Sequence, residues 1–310
     1  MPNSFEKTNL VHGHAAKLRR TAIKIRKAVI PAAGWGTRFL PTTKTLPKEM
    51  LPLVDKPIIQ YVVEEAVSCG VEMVIIVTSL GKRAMEDYFD RSADLEHFLA
   101  QKGQTQLLEK IRQLSSMVDI RYVRQKEQLG LGHAVYVARQ VVGNEPFIVM
   151  LPDDLFEQQD AVLKRMLEIF ERYRGSVIAV RRIDRSQVSR YGIIEPRKIA
   201  ERVYQVTSMV EKPTVEQAPS DLAIVGRYVL TPEIFEELES TLPGAVGEIQ
   251  ITDGIGRLLR TQPVYAYEVE GEHYDAGTPL GWIQATIALA LKHPEMGPAI
   301  REYLKKLPPC

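Results

Sequence analysis

Five short apolar runs, each closed by turn residues, occupy positions 28–33, 73–78, 120–123, 147–151 and 177–180. Their brevity and β-branched character predict strands covered on both faces. Segments of helical period lie between them. Residues 57–69 open on Pro57 and stop at Gly70, residues 131–142 stop at Gly143, and the amphipathic stretch 161–173 ends just short of Gly175. Residues 82–116 read as a helical insertion broken at Gly103. Such alternation predicts an α/β fold, a largely parallel sheet wrapped by helices. From Tyr191 the pattern loosens: 193–210 reads as a twisted hairpin and 223–230 as another strand, with helices starting at Pro232, Ile249, Pro279 and Ala299. A single α/β domain with a C-terminal elaboration is the simplest arrangement.

At 310 residues the chain has length for a substantial buried core. No run approaches the roughly 20 apolar residues of a membrane span, and the basic first 27 residues lack the apolar centre of a secretory signal. No membrane partner is expected. Cys69 and Cys310 offer no disulfide framework and no zinc spacing, so a reducing cytoplasm is the expected compartment. The net charge of +1 is unevenly spread: the first 48 residues hold ten Lys/Arg and one acid, Glu6, while the other 262 hold 30 Lys/Arg and 38 Asp/Glu. A cationic segment on an acidic body suits a small polyanion better than a nucleic-acid duplex, which would need a broad basic face. For residues 7–27 a solvated basic arm accounts for the charge. Arg38, Lys44 and Lys48 sit among Gly and Pro and require another explanation.

In open α/β sheets, ligands bind beyond the carboxyl ends of the strands. After the first run stands the loop 31–52, with Gly34 and Gly36, then Arg38 and Lys48. Glycines let backbone N–H groups approach an anion, and consecutive N–H groups form a nest for one. An ordinary βα turn would also use them. A dinucleotide fingerprint is disfavoured, because Phe39 stands where its third glycine belongs and Pro41, Pro47 and Pro52 prevent an immediate helix. Pro41 and Pro47 are expected to keep the chain extended between the two cations. Asp153-Asp154 follows a very apolar run, which suits either a magnesium ion held with substrate phosphates or the N-cap of a following helix. Glu211-Lys212 and Asp275 are later candidates; each also suits a turn. His273 reads as a packing or surface residue and His133 as part of a helix's first turn. There is no Gly-x-Ser-x-Gly elbow for hydrolysis and no His/Cys ligand set. Phosphoryl or nucleotidyl transfer survives, since it needs cations and positioning rather than a protein nucleophile.

Residues 31–41 (PAAGWGTRFLP) with 47–52 (PKEMLP) resemble the signature of the sugar-1-phosphate nucleotidylyltransferases, and within them the bacterial UTP–glucose-1-phosphate uridylyltransferases. The likeness continues through DKPIIQYVVEEA at 55–66, Arg124-Gln125, LGLGHA at 129–134, LPDDL at 151–155, Tyr191-Gly192, VEKP at 210–213, AIVGRY at 223–228, GEIQITD at 247–253 and YDAG at 274–277. The resemblance implies a Rossmann-like, mostly parallel mixed sheet flanked by helices, with a nucleotide half at about 26–155, a sugar half at 156–280 and C-terminal helices at 279–310. Residues 1–25 form a basic arm outside it. The implied reaction is UTP + glucose 1-phosphate ⇌ UDP-glucose + pyrophosphate, with Mg2+; the alternatives are the same chemistry with dTTP, or a non-catalytic sugar-nucleotide-binding homologue. Carried over position by position, Ala32, Ala33, Gly34 and Gly36 cradle the nucleotide, Gln125 and Gly130 read uracil, and Asp154 joins the nucleotide group. Arg38 and Lys48 bind the triphosphate. Asp153 and Asp275 hold the metal. Gly192, Glu211 and Ile224 contact the sugar, and Lys212 its phosphate. A homodimer or homotetramer is implied. Trp35, Gln128 and Ala276 depart from the pattern, which usually has Leu, Pro and Cys at these positions.

Overall fold

The computed structural model describes residues 24–308 apart from Gln158, Ala245 and Val246. Nearly all of the basic arm, and Cys310, lie outside the described residues. The strands in chain order are β1 (Lys27–Pro31), β2 (Pro52–Leu53), β3 (Lys56–Pro57), β4 (Met73–Thr78), β5 (Asp119–Arg124) and β6 (Phe147–Met150). They continue as β7 (Asp154–Phe156), β8 (Ser176–Arg182), β9 (Gly192–Ala200), β10 (Val203–Glu211), β11 (Leu222–Leu230), β12 (Val264–Glu268) and β13 (His273–Asp275).

Nine of these build one sheet in the order β5-β4-β1-β6-β11-β8-β12-β10-β9. β5, β4, β1 and β6 are mutually parallel. β11 runs antiparallel to both β6 and β8. The pleat sorts each strand's side chains onto two cores. Ala28 and Ile30 of β1 join Val74 and Ile76 of β4 in one core; Val29 joins Ile75 and Val77 in the other. Covering on both faces explains why these strands are apolar at every position rather than at alternate ones. The helices Ile58–Ser68 and Gln159–Tyr173 supply the covering on one face.

The predicted helix over 131–142 divides into Leu131–Tyr136 and Arg139–Val142. The insertion forms three helices, Arg83–Phe89, Ala93–Gln101 and Thr105–Ser116, with Gly103 left-handed at the second break (φ 66°). The hairpin is β9–β10, with two register shifts that strengthen its twist. It curls until Ile193 pairs with Ala223 of β11. That curl brings Gly192 and Glu211, paired residues of the hairpin, next to Ile224.

The segment between Arg38 and Lys48 is not extended. It coils through three short 3-10 turns, Thr37–Phe39, Thr42–Lys44 and Lys48–Met50. Pro41 and Pro47 stand immediately before the second and third of these turns. Proline's φ suits that entry as well as it suits an extended strand. Thr43 Oγ1 donates to the Gly36 carbonyl at 2.7 Å, folding the segment back on itself. Gly36 is left-handed (φ 66°), and a Cβ there would meet Thr43 and Lys48 side chains at 3.2–3.3 Å. The glycine therefore permits the fold-back.

Candidate active site

A cleft of about 440 Å3 opens beyond the carboxyl ends of β1, β5 and β6. Ala33, Gly34, Gly36, Lys48, Gln125, Gly130 and Asp153 all line it, as do Trp35 and Gln128. Ala32 lies just beneath: its N–H donates to the Val77 carbonyl at 2.8 Å, prolonging the β1–β4 pairing. Gly130 (φ 100°) is forced by close approach, since a Cβ would come within 2.8 Å of Glu248 and the Ile249 carbonyl. Gln125 is buried and its amide nitrogen is committed, lying 3.2 Å from the Gly130 carbonyl and 3.0 Å from His133 Nδ1. Its carbonyl oxygen has no partner among the described residues, so the site presents an acceptor there.

At the mouth, cations and carboxylates meet. Lys48 Nζ donates to Asp153 Oδ2 at 2.6 Å. Burial works against both charges, but each overcomes it for the other: Lys48 is held above its ordinary pKa and Asp153 below. Arg38 reaches over to the Gly277 carbonyl at 3.5 Å. Asp275 is brought in by the ribbon β7–β13, where it stands opposite Asp154, and by the Ala276 N–H donating to the Asp153 carbonyl at 2.8 Å. Burial raises its pKa, and the negative charges of Asp154 and Asp153 raise it further. Asp153 and Asp275 both crowd the space above Gly277; a Cβ there would press on Asp153 and stand 3.0 Å from Asp275 Oδ1.

A second group forms where the hairpin curls back. Space above Gly192 is bounded by Thr252 Oγ1 at 2.9 Å, Glu211 Oε2 at 3.1 Å and Ile224 Cδ1 at 3.1 Å from a notional Cβ. Lys212 is half-exposed, left-handed (φ 46°) and 3.3 Å from Glu211. A left-handed lysine is costly and persists only where the surroundings impose it; its N–H is tied to the Tyr191 carbonyl at 2.9 Å. Tyr191 precedes Gly192, at the edge of this second group. Its hydroxyl pKa is raised by burial first, with Asp275 and Asp154 also raising it.

A family model described as nucleotidyl transferase matches residues 27–291. The chain belongs to the nucleotidyl transferase family. It is 54% identical over 284 residues to UTP–glucose-1-phosphate uridylyltransferase 2 of Staphylococcus saprophyticus, covering 92% of this chain and 98% of that protein. Among solved structures, a UTP-bound UGPase from Acinetobacter baumannii superposes with TM-score 0.86 at 41% identity, covering 92% of this chain and all of that one. A UDP-glucose pyrophosphorylase complexed with UDP-glucose gives TM-score 0.80 at 46% identity over 87% of this chain and all of that one.

As a nucleotidyl transferase, the chain gathers most of its expected site residues into two adjoining groups. Asp154, opposite Asp275 in the β7–β13 ribbon, has a partner of its own. It does not line the cleft and caps no helix; its carboxylate is bonded to His273 Nε2 and lies against Gly226. His273, in turn, lies 2.8 Å from Arg181 through Nδ1. Thr252, within the run at 247–253 that carries the resemblance, brings a hydroxyl to the second group that its residue type alone does not mark. Gln128 stands where the resemblance leads one to expect proline, and its amide nitrogen donates to the Ala33 carbonyl at 2.9 Å, which proline could not do. The donor set suits Mg2+: two carboxylates whose mutual repulsion a cation would relieve, with coordination left for phosphate oxygens. Among the described residues no cluster of three or more His, Cys, Asp or Glu could hold a metal by itself. None of the described helices is long and apolar enough to cross a membrane.

Proposed function

We propose that the chain transfers a uridylyl group from UTP to glucose 1-phosphate, forming UDP-glucose and releasing pyrophosphate. One observation carries the reading: a single cleft combines the glycine loop, the Lys48–Asp153 pair and the open acceptor of Gln125, in a chain 54% identical to a uridylyltransferase.

The residues divide the work. Backbone N–H groups of Ala33, Gly34 and Gly36, with Ala32 supporting them, cradle the nucleotide. The Gln125 carbonyl oxygen accepts from the uracil N3–H, while its committed amide nitrogen keeps it from turning round to serve cytosine. Gly130 leaves room for the base. Arg38 and Lys48 neutralise the triphosphate and the charge that builds on departing pyrophosphate. Asp153 and Asp275 would hold Mg2+, which when bound supplies Lewis-acid stabilisation of the α-phosphate oxygens. Gly192, Glu211 and Ile224 receive the sugar and Lys212 its phosphate. A phosphate oxygen of glucose 1-phosphate attacks the α-phosphorus as the bond to the β-phosphate oxygen breaks. No protein nucleophile is needed.

On this reading residues 26–155 form the nucleotide half and 156–280 the sugar half. A homodimer or homotetramer in a reducing cytoplasm is the proposed setting. Supporting the oligomer, Leu280, Ile283 and Ile287 are exposed along helix Pro279–Lys292, an apolar stripe at helical spacing.

The direct test is pyrophosphate release with a panel of nucleoside triphosphates and sugar 1-phosphates, with and without Mg2+. Turnover should be greatest with UTP and glucose 1-phosphate and should require the metal. Thymine offers the same N3–H, so a preference for dTTP would reassign the base, and no turnover with any pair would end the proposal. Lys212→Ala should raise KM for glucose 1-phosphate at least tenfold, about 1.4 kcal/mol, leaving KM for UTP within twofold. Unchanged kinetics would remove Lys212 from the sugar-phosphate site.

A further inference from the structure

Lys82 and Glu49 form a buried ion pair that the transfer chemistry does not use. Lys82 Nζ donates to Glu49 Oε2 at 2.8 Å and to the Ala32 carbonyl at 2.6 Å. Their side chains are 9% and 1% exposed. The two acceptors stand at opposite ends of the glycine loop: Ala32 begins it, and Glu49 follows Lys48 at its close. We infer that Lys82 and Glu49 are positioning residues that clasp the loop shut and preset the nucleotide cradle before substrate arrives. The inference rests on the uridylyltransferase reading of the cleft.

The geometry gives the clasp a specific effect. A trans, planar peptide directs its N–H opposite to its carbonyl. Holding the Ala32 carbonyl therefore fixes the direction of the Ala33 N–H, one of the groups that would face the nucleotide. Gln128 does the same for Gly34 by binding the Ala33 carbonyl. At the far end, Glu49 is the immediate neighbour of Lys48, so anchoring its carboxylate limits how far the Lys48 backbone can move. Nest and cation thus share one anchor.

Stability alone gives little reason for the arrangement. A buried ion pair loses solvation on both sides and is often no better than apolar residues of the same size. This one is also incompletely satisfied, because Glu49 Oε1 is buried without a partner among the described residues. Such costs are tolerated where a site must be rigid in advance, since dipoles and charges fixed beforehand need not reorganise in the transition state.

The test separates positioning from folding. Lys82→Met alone strands the Glu49 charge and should lower both Tm and activity. Lys82→Met combined with Glu49→Gln removes the stranded charge and should restore most of the Tm. Its kcat/KM with UTP should still be at least 30-fold below the parent, and amide exchange at residues 33–36 should be faster. Lys82→Arg, which keeps a donor for both acceptors, should recover activity to within fivefold. A double variant with parental Tm, kcat/KM and exchange would overturn the inference; so would a Lys82→Arg chain as impaired as Lys82→Met, if the double variant proves too unstable to assay. The parent protein, run alongside, tests the reading itself: if it turns over no UTP, that reading fails and not the clasp.

Discussion

Asp153→Asn should lower kcat by about 10^3-fold or more, close to 4 kcal/mol of transition-state stabilisation, while the protein stays folded. Asparagine keeps the shape and the backbone, including the carbonyl that receives the Ala276 N–H. It loses the negative charge, and two functions go with it. Lys48 no longer has the hydrogen-bonded partner that sustains its charge against burial, and under the proposed mechanism Asp275 would be left as the one carboxylate for a divalent ion. Relief of Asp153's repulsion would also lower the Asp275 pKa, the reverse of the present situation. The measurements are steady-state turnover across a Mg2+ titration and a thermal melt. Within tenfold of parental kcat at saturating metal, Asp153 would lose its assigned role; a Tm drop beyond a few degrees would point to a structural one.

Arg227→Met should cost about 3–5 kcal/mol of folding free energy, as breaking one side of a fully buried ion pair generally does. Arg227 and Glu65 are both wholly buried. Two guanidinium nitrogens donate to the Glu65 carboxylate at 2.9 and 2.6 Å, and a third donates to the Leu151 and Gly226 carbonyls at 3.0 and 2.9 Å. Burial already raises the Glu65 pKa, with Arg227 working against the rise. Without Arg227 the carboxyl would take up a proton on folding. Its folded-state pKa would then lie further above the unfolded one, so the variant should regain stability as pH falls from 8 to 5. Adding Glu65→Leu should recover most of the loss, because an apolar pair of similar volume is often as stable. Urea unfolding of the single and double variants at both pH values checks this. A single-variant loss below about 1 kcal/mol, or no recovery in the double variant, would contradict it.

Much of the candidate nucleotide site was legible in the chain because its residues stand in the segments that follow strands. Gly34, Gly36 and Lys48 follow β1, Gln125 follows β5, and Asp153 follows β6. An apolar run ending in turn residues announces both the strand and the edge at which its next residues stand. The coil of the loop was not legible, since proline's φ serves an extended segment and a 3-10 turn alike, and only the Thr43–Gly36 contact decides between them. The partner of Asp154 was not legible for a related reason. Asp154 neighbours Asp153, but β7 begins at Asp154 and pairs with β13, so the second carboxylate meets His273, 119 residues later.

Strand–helix alternation, the edge where ligands would gather and the family could all be read along the chain, because periodicity and ordered motifs are local or collinear with it. Which side chains meet across the fold could not be read that way. Lys82 finds Glu49 across 33 residues, Arg227 finds Glu65 across 162, and Gly192 joins Glu211 and Ile224 through the curl of a hairpin. Each of those partnerships depends on where the packed strands, helices and loops set two distant stretches of chain, and that placement is a property of packing that no single stretch of sequence carries.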